Sequence, residues 1–223
     1  QLITNSRMDT QKTCPKKHYW SYEVGYRREL PGKAIRQGNA GHEALDVMAA
    51  GGDLEDGIEA MIVMYADVPE FVEELEWDYE LTTMECLIQG YDWYYDKENF
   101  DYVETEASFR IPLRNPETEA ASKIFDLGGK MDKIIRYHEN DEEALMEHKF
   151  TEYKIDDESD YWKKVQLDMQ VSLYILAARE KGYNISSVLY DLIHRPTIRP
   201  GSIYVRDDDG LKIVLHELGG RIY

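Results

Sequence analysis

The apolar residues of this chain change their spacing near residue 100, and that change limits the folds open to it. Before residue 100 they recur at helical intervals; after it, 102–112, 123–137 and 144–150 alternate in the manner of strands. His138-Glu139-Asn140-Asp141 is a polar turn between the last two runs. Upstream, 37–50 carries Ala40, Ala44, Leu45, Met48 and Ala49 on one helical face and stops at Gly51-Gly52, and Asp53 then reads as the N-cap of a second helix to about residue 65. Residues 69–98 predict one long or broken helix. Residues 1–30 predict an irregular or short-helical start with a break at Thr13-Cys14-Pro15. Downstream, 160–181 predicts a single helix ending at Gly182, 185–193 a fourth strand, and 202–205 with 211–215 a hairpin around Asp207-Asp208-Asp209-Gly210. The order is helices, three strands, a helix, a strand and a hairpin. It predicts an α/β (α+β) fold, a central mixed β-sheet flanked by helices. A single domain over 1–223 is expected, with 1–100 mainly helical and 101–223 carrying the sheet and the C-terminal hairpin.

At 223 residues and 43% hydrophobic, the chain can bury a core without staples. No apolar run approaches the ~20 residues of a membrane helix, and residues 1–30 lack the apolar segment of a signal peptide. Two cysteines, Cys14 and Cys86, are too few for a disulfide framework, so a reducing cytoplasm is the expected home. The net charge of −18 opposes polyanion binding, but it is unevenly distributed. Residues 1–41 hold eight Lys/Arg against three acids, a net of +5, and the remainder holds 18 against 41, a net of −23. A basic segment on an acidic body can guide a strand while the rest repels stray contact. Arg7, Lys16, Lys17 and Arg36, with Tyr19 in the aromatic group Tyr19, Trp20 and Tyr22, are the candidate substrate contacts.

Chemistry concentrates in about sixty residues. Asp132 follows Gly128-Gly129 and interrupts an apolar strand, where a carboxylate needs a cation or donors beside it. Glu147 and Lys149, two apart, share one face of the next strand. Two carboxylates and a lysine in one cleft suit a hard divalent cation and an attacking water, the requirements of phosphodiester hydrolysis. Gln170 and Tyr174, four apart, share a helix face, with Gln166 in reserve. His42 stands near a helix start behind Gly38 and Gly41.

This combination resembles the RecB-type branch of the PD-(D/E)XK nuclease superfamily, which includes the nuclease domains of RecB and AddB, CRISPR adaptation nucleases and viral exonucleases. The resembling pieces are Ile3-Thr4-Asn5-Ser6-Arg7, Cys14 to Trp20, Gly41 to Leu45, Gly128 to Asp132, Glu147-His148-Lys149 and Gln170-x-x-x-Tyr174, in family order over roughly 3–180. The resemblance implies a restriction-endonuclease-like core and a Mg²⁺ or Mn²⁺ ion held by His42, Asp132, Glu147 and the backbone carbonyl of His148. It implies Lys149 as the catalytic lysine, and Gln170 and Tyr174 near the scissile phosphate. Glu104 or Glu106 would help with a second metal. Relatives with an iron–sulfur cluster use one N-terminal and three C-terminal cysteines. Cys14 matches the first, but 185–223 contains none, so no such cluster is expected within this chain.

The expected activity is therefore that of a Mg²⁺/Mn²⁺-dependent DNA nuclease, an exonuclease on single-stranded or frayed ends, with a helicase or recombination protein as a possible partner. The rival readings are a structure-selective endonuclease with the same site and a non-catalytic nucleic-acid or partner-binding module on the same fold.

Overall fold

The computed structural model describes residues 1–70, 72–95, 99–156 and 158–196 in full, and the backbone alone of 203–206, 212–215, 217–218 and 221–222. Two units form: Gln1–Pro31 with Lys97–Lys149 and Lys154–Leu192, and Gly32–Asp96 with Phe150–Tyr153 and Ile193–Tyr223. Residues 1–31 of the basic N-terminal segment thus count with the sheet, while Lys33 and Arg36 belong to the second unit.

In chain order the elements are β1 (Leu2–Ile3), α1 (Asn5–Thr13), α2 (Pro15–His18), a π-helical turn (Tyr19–Val24), α3 (Lys33–Ala49), α4 (Leu54–Val63), α5 (Glu74–Tyr94), β2 (Phe100–Arg114), β3 (Ala121–Tyr137) and β4 (Glu143–Thr151). There follow α6 (Asp160–Gln166), α7 (Met169–Glu180), β5 (Ile185–His194), and the short strands β6 (Ile203–Arg206), β7 (Lys212–Leu215), β8 (Glu217–Leu218) and β9 (Arg221–Ile222). β6 and β7 pair antiparallel, as the expected hairpin requires; its turn, 207–210, lies outside the described residues.

The first five strands make one mixed sheet, as the alternation predicts. β2 runs antiparallel along one edge of β3 from Phe100↔Tyr137 to Arg114↔Ala121. The other edge of β3 is shared. β1 lies parallel beside Asp126 and Leu127, and β4 antiparallel beside Lys133 to Arg136. The sheet has two apolar faces. On one, Ala107, Phe109, Ile111, Leu127, Ile134 and Leu145 pack with Leu173, Tyr174, Ala177 and Ala178 of α7. On the other, Ile135, Ala144 and Met146 pack with Phe100.

The helix expected over 160–181 is two helices. Asp168 sits where a continuous helix would bury a short carboxylate against its own backbone, and it caps α7 instead, accepting the N–H of Gln170 at 2.8 Å. Leu167, 86% exposed, closes α6. Gln166 therefore ends one helix while Gln170 begins the next, and they are not stacked on one face.

In the second unit, Asp53 caps α4 as expected, in a reciprocal capping box with Asp56. Gly41 lies inside α3 where a Cβ would stand 2.1 Å from the Phe150 ring. Gly38, on the same helix, has open space. Gly41→Ala should destabilise by about 2 kcal/mol through overpacking. Gly38→Ala should stabilise by up to about 1 kcal/mol through helix propensity. Thermal melts of the two variants, moving in opposite directions, check both.

Candidate active site

β3 and β4 pair from Lys133↔Met146 to Arg136↔Glu143, and one step further the same register sets Asp132 opposite Glu147. There the ladder gives way to a side chain: Oδ2 of Asp132 accepts the backbone N–H of His148 at 2.9 Å. The catalytic carboxylates of the sequence reading thus sit across from each other at the end of an antiparallel ladder, where the strands stop exchanging backbone hydrogen bonds.

Glu147 and Lys149 share a face of β4, as period two requires, and the face is the one covered by α7. Lys149 Nζ donates to Oε1 of Glu147 and, at 3.2 Å, to Oε1 of Gln170. The Gln170 amide returns the contact: Nε2 donates to Glu147 Oε1 at 2.9 Å and lies 2.9 Å from the Tyr174 hydroxyl. Gln170 thus uses its acceptor on the lysine and its donors on the glutamate and the tyrosine. Gly129 lets the helix this close. A Cβ there would stand 3.0 Å from the Phe109 ring and 3.4 Å from that of Tyr174, which meets Phe109 edge-on at 5.8 Å.

The electrostatics follow from burial. Glu147 is 2% exposed, and burial, then the Asp132 charge, push its carboxyl up to about 7; Lys149 pulls the other way. Burial alone would lower the Lys149 ammonium, but Glu147 beside it more than offsets this and raises it. Tyr174 is raised by burial and by Glu147, so its hydroxyl keeps its proton.

This donor set fits a hard divalent cation. Both donors to Glu147 fall on Oε1, and Oε2 receives no hydrogen bond among the described residues. A buried glutamate whose ionisation is opposed by a facing carboxylate is what Mg²⁺ or Mn²⁺ neutralises. No group of three or more His, Cys, Asp or Glu side chains suited to a metal is present among the described residues.

The other expected residues lie as follows. The His148 ring is fully buried, 3.5 Å from Asp191, so only its backbone is on the Asp132 side. His42 belongs to the second unit, its ring edge-on to Phe150 at 5.9 Å. Glu104 is held below the usual carboxylate range by hydrogen bonds from Lys181 and Tyr183, and Glu106 pairs with Lys130. Both carboxylates are thus engaged by lysines. Lys16 and Lys17 are exposed on α2, and Tyr19 is 53% exposed. Arg7 is engaged by Glu23 at 2.5 Å and by His18, and Arg36 by the buried Glu80 at 2.7 Å with its guanidinium over Trp77. A strand phosphate at either arginine would have to compete with a carboxylate already in place.

The sequence reading missed Asp168. It fixes the first turn of α7, and so Gln170, and accepts the Tyr190 hydroxyl at 3.1 Å. The available signal was a capping residue type interrupting an apolar helical pattern two positions before Gln170.

A family model described as the PD-(D/E)XK nuclease superfamily matches residues 3–218. The sequence matches no curated protein. No helix among the described residues is long and apolar enough to cross a membrane.

Proposed function

We propose, for a chain that belongs to the PD-(D/E)XK nuclease superfamily, a deoxyribonuclease of the RecB-type branch that degrades single-stranded or frayed DNA from an end. The observation that carries this reading is the hydrogen-bonded group Glu147, Lys149, Gln170 and Tyr174 beside Asp132. A Mg²⁺ or Mn²⁺ ion at Asp132, Glu147 and the His148 carbonyl would supply Lewis acidity toward the phosphate and its attacking water. Lys149 places a cation beside the developing charge on the phosphoryl oxygens and orients the attacking water. Gln170 fixes both Lys149 and Glu147, so neither must reorganise during the reaction. Tyr174, protonated, holds the Gln170 amide in register. The +5 charge of residues 1–41 supports strand capture on an otherwise acidic protein.

Linear single strands labelled at the 5′ or 3′ end, beside a circular single strand, test the reading. The expected result is stepwise loss of the linear strand, with the label pattern giving the polarity, and an intact circle. A cut circle would favour the endonuclease.

A pH dependence follows from Glu147. Its proton, held up to about 7, competes with the cation. Mn²⁺ affinity, read by calorimetry, should therefore rise roughly tenfold from pH 6 to pH 8, with proton release on binding at the lower pH. A flat profile would contradict the role given to this carboxyl.

A further inference from the structure

The first turn of α7 has two sides. Gln170 faces the catalytic carboxylate, while its neighbours Asp168 and Met169 line a cleft of about 410 Å³ with α1, α6 and β5. Cavities of that order hold one drug-sized ligand. We propose that this cleft is the subsite for one unpaired nucleotide adjoining the scissile phosphate, with its phosphate between Lys12 and Lys164 and its base on the Tyr161 ring. The proposal rests on the nuclease reading above and specifies how the strand is held.

Four observations support it. Lys12 Nζ has as its hydrogen-bond partner the Met169 thioether at 3.2 Å, a weak acceptor, and no carboxylate lies within ion-pair distance of it among the described residues. The cation is directed at the cleft wall, where an anion would be a far better partner. Lys164 brings a second cation from α6 to the same cleft. Tyr161 and Tyr190 supply aromatic surface, and the Tyr190 hydroxyl is tied to Asp168, which also caps α7. Both Asp168 oxygens are thus engaged, and the α7 N-terminus partly offsets the carboxylate charge. Lastly, Asp168 in the cleft accepts the Gln170 N–H, and the Gln170 side chain bonds Glu147 and Lys149, so the cleft adjoins the reacting centre through one residue. Asp9, also in the cleft, disfavours a second phosphate, in keeping with a site for one nucleotide.

Lys12→Ala/Lys164→Ala and Tyr161→Ser test the subsite, with Lys163→Ala as the control on the same helix and Tyr161→Phe as the ring-retaining variant. Lys163 pairs with Asp160 and does not line the cleft. Binding of a fluorescent single-stranded oligonucleotide is read by anisotropy in EDTA, so no turnover is needed, and KM and kcat are read separately with Mn²⁺. The double variant should weaken binding about tenfold and flatten the salt dependence of log Kd by roughly 0.7 for the lost phosphate contact. Tyr161→Ser should weaken it at least about fivefold through lost stacking, and Tyr161→Phe should restore it. In turnover the loss should appear in KM. Lys163→Ala should match the parent. A parent that cuts DNA, beside a folded double variant with parental Kd and salt slope, overturns the subsite alone. A folded parent that neither binds nor cuts overturns the nuclease reading and the subsite with it.

Discussion

Lys149→Met should cut the single-turnover cleavage rate by roughly 10²–10³-fold while the protein stays folded, which is the scale of removing one preorganised donor from a reacting centre. The lysine touches two groups, Glu147 Oε1 and Gln170 Oε1, and is partly exposed, so its loss opens no core cavity. Glu147 loses its cation but is not left as a stranded charge, because its carboxyl already titrates near 7 and can take up a proton. Lys149→Arg should be nearly as defective. A planar fork with its charge spread over three nitrogens cannot occupy the point held by an ammonium between two oxygens. Rates on an end-labelled strand, read beside thermal melts, separate chemistry from folding. Were Lys149 only a structural partner of Glu147, the melting temperature would fall and the rate per folded molecule would hold.

Asp132→Asn should abolish Mn²⁺-dependent cleavage to a similar degree and also make the metal-free protein more stable at pH 7–8. The amide keeps an acceptor for the His148 N–H, now met by Oδ2 at 2.9 Å, so the end of the ladder survives. What is lost is a negative charge facing Glu147. In the folded parent Glu147 holds its proton up to about 7, against 4.5 for an ordinary glutamate. Between those values the folded state binds more protons than the unfolded state, and stability falls as pH rises. Burial is the larger cause and remains in the variant; the Asp132 charge is the second cause and is removed. The fall with pH should therefore shrink without vanishing. Melting temperatures across pH in EDTA, then with Mn²⁺, read both effects: a gain over the parent without metal and a smaller rise on adding it. An equal Mn²⁺-induced rise in parent and Asp132→Asn would exclude Asp132 as a ligand.

The strands were legible because period two is a local property. Alternation places β3 and β4 within two residues of their ends and puts Glu147 and Lys149 on one face. It cannot show what lies across an edge. That Asp132 meets Glu147 depends on a register shared by strands whose facing pairs start at Lys133↔Met146, and that β1 joins β3 depends on two residues more than a hundred positions away. The helix over 160–181 was misread for a similar reason. Val165, Met169, Leu173 and Leu176 keep a helical rhythm through Asp168, whereas the capping geometry that breaks it depends on one carboxylate turning back to Gln170. Charges were read by position and lacked their partners. Arg36 was grouped with the basic surface, but Glu80, 44 residues on, meets it from α5 and also accepts the Tyr65 hydroxyl. Lys12, not singled out in the sequence, gains its place only because Met169, 157 residues away, brings the start of α7 beside it.

The most direct measurement is cleavage of an end-labelled linear single strand by the parent protein across a Mn²⁺ titration starting in EDTA. No cleavage in EDTA, and cleavage that rises with Mn²⁺ and is lost in Lys149→Met and Asp132→Asn, is the expected result. A folded parent that leaves the strand intact at every Mn²⁺ and Mg²⁺ concentration, or that cuts equally well in EDTA, would contradict metal-dependent hydrolysis at Asp132, Glu147 and Lys149.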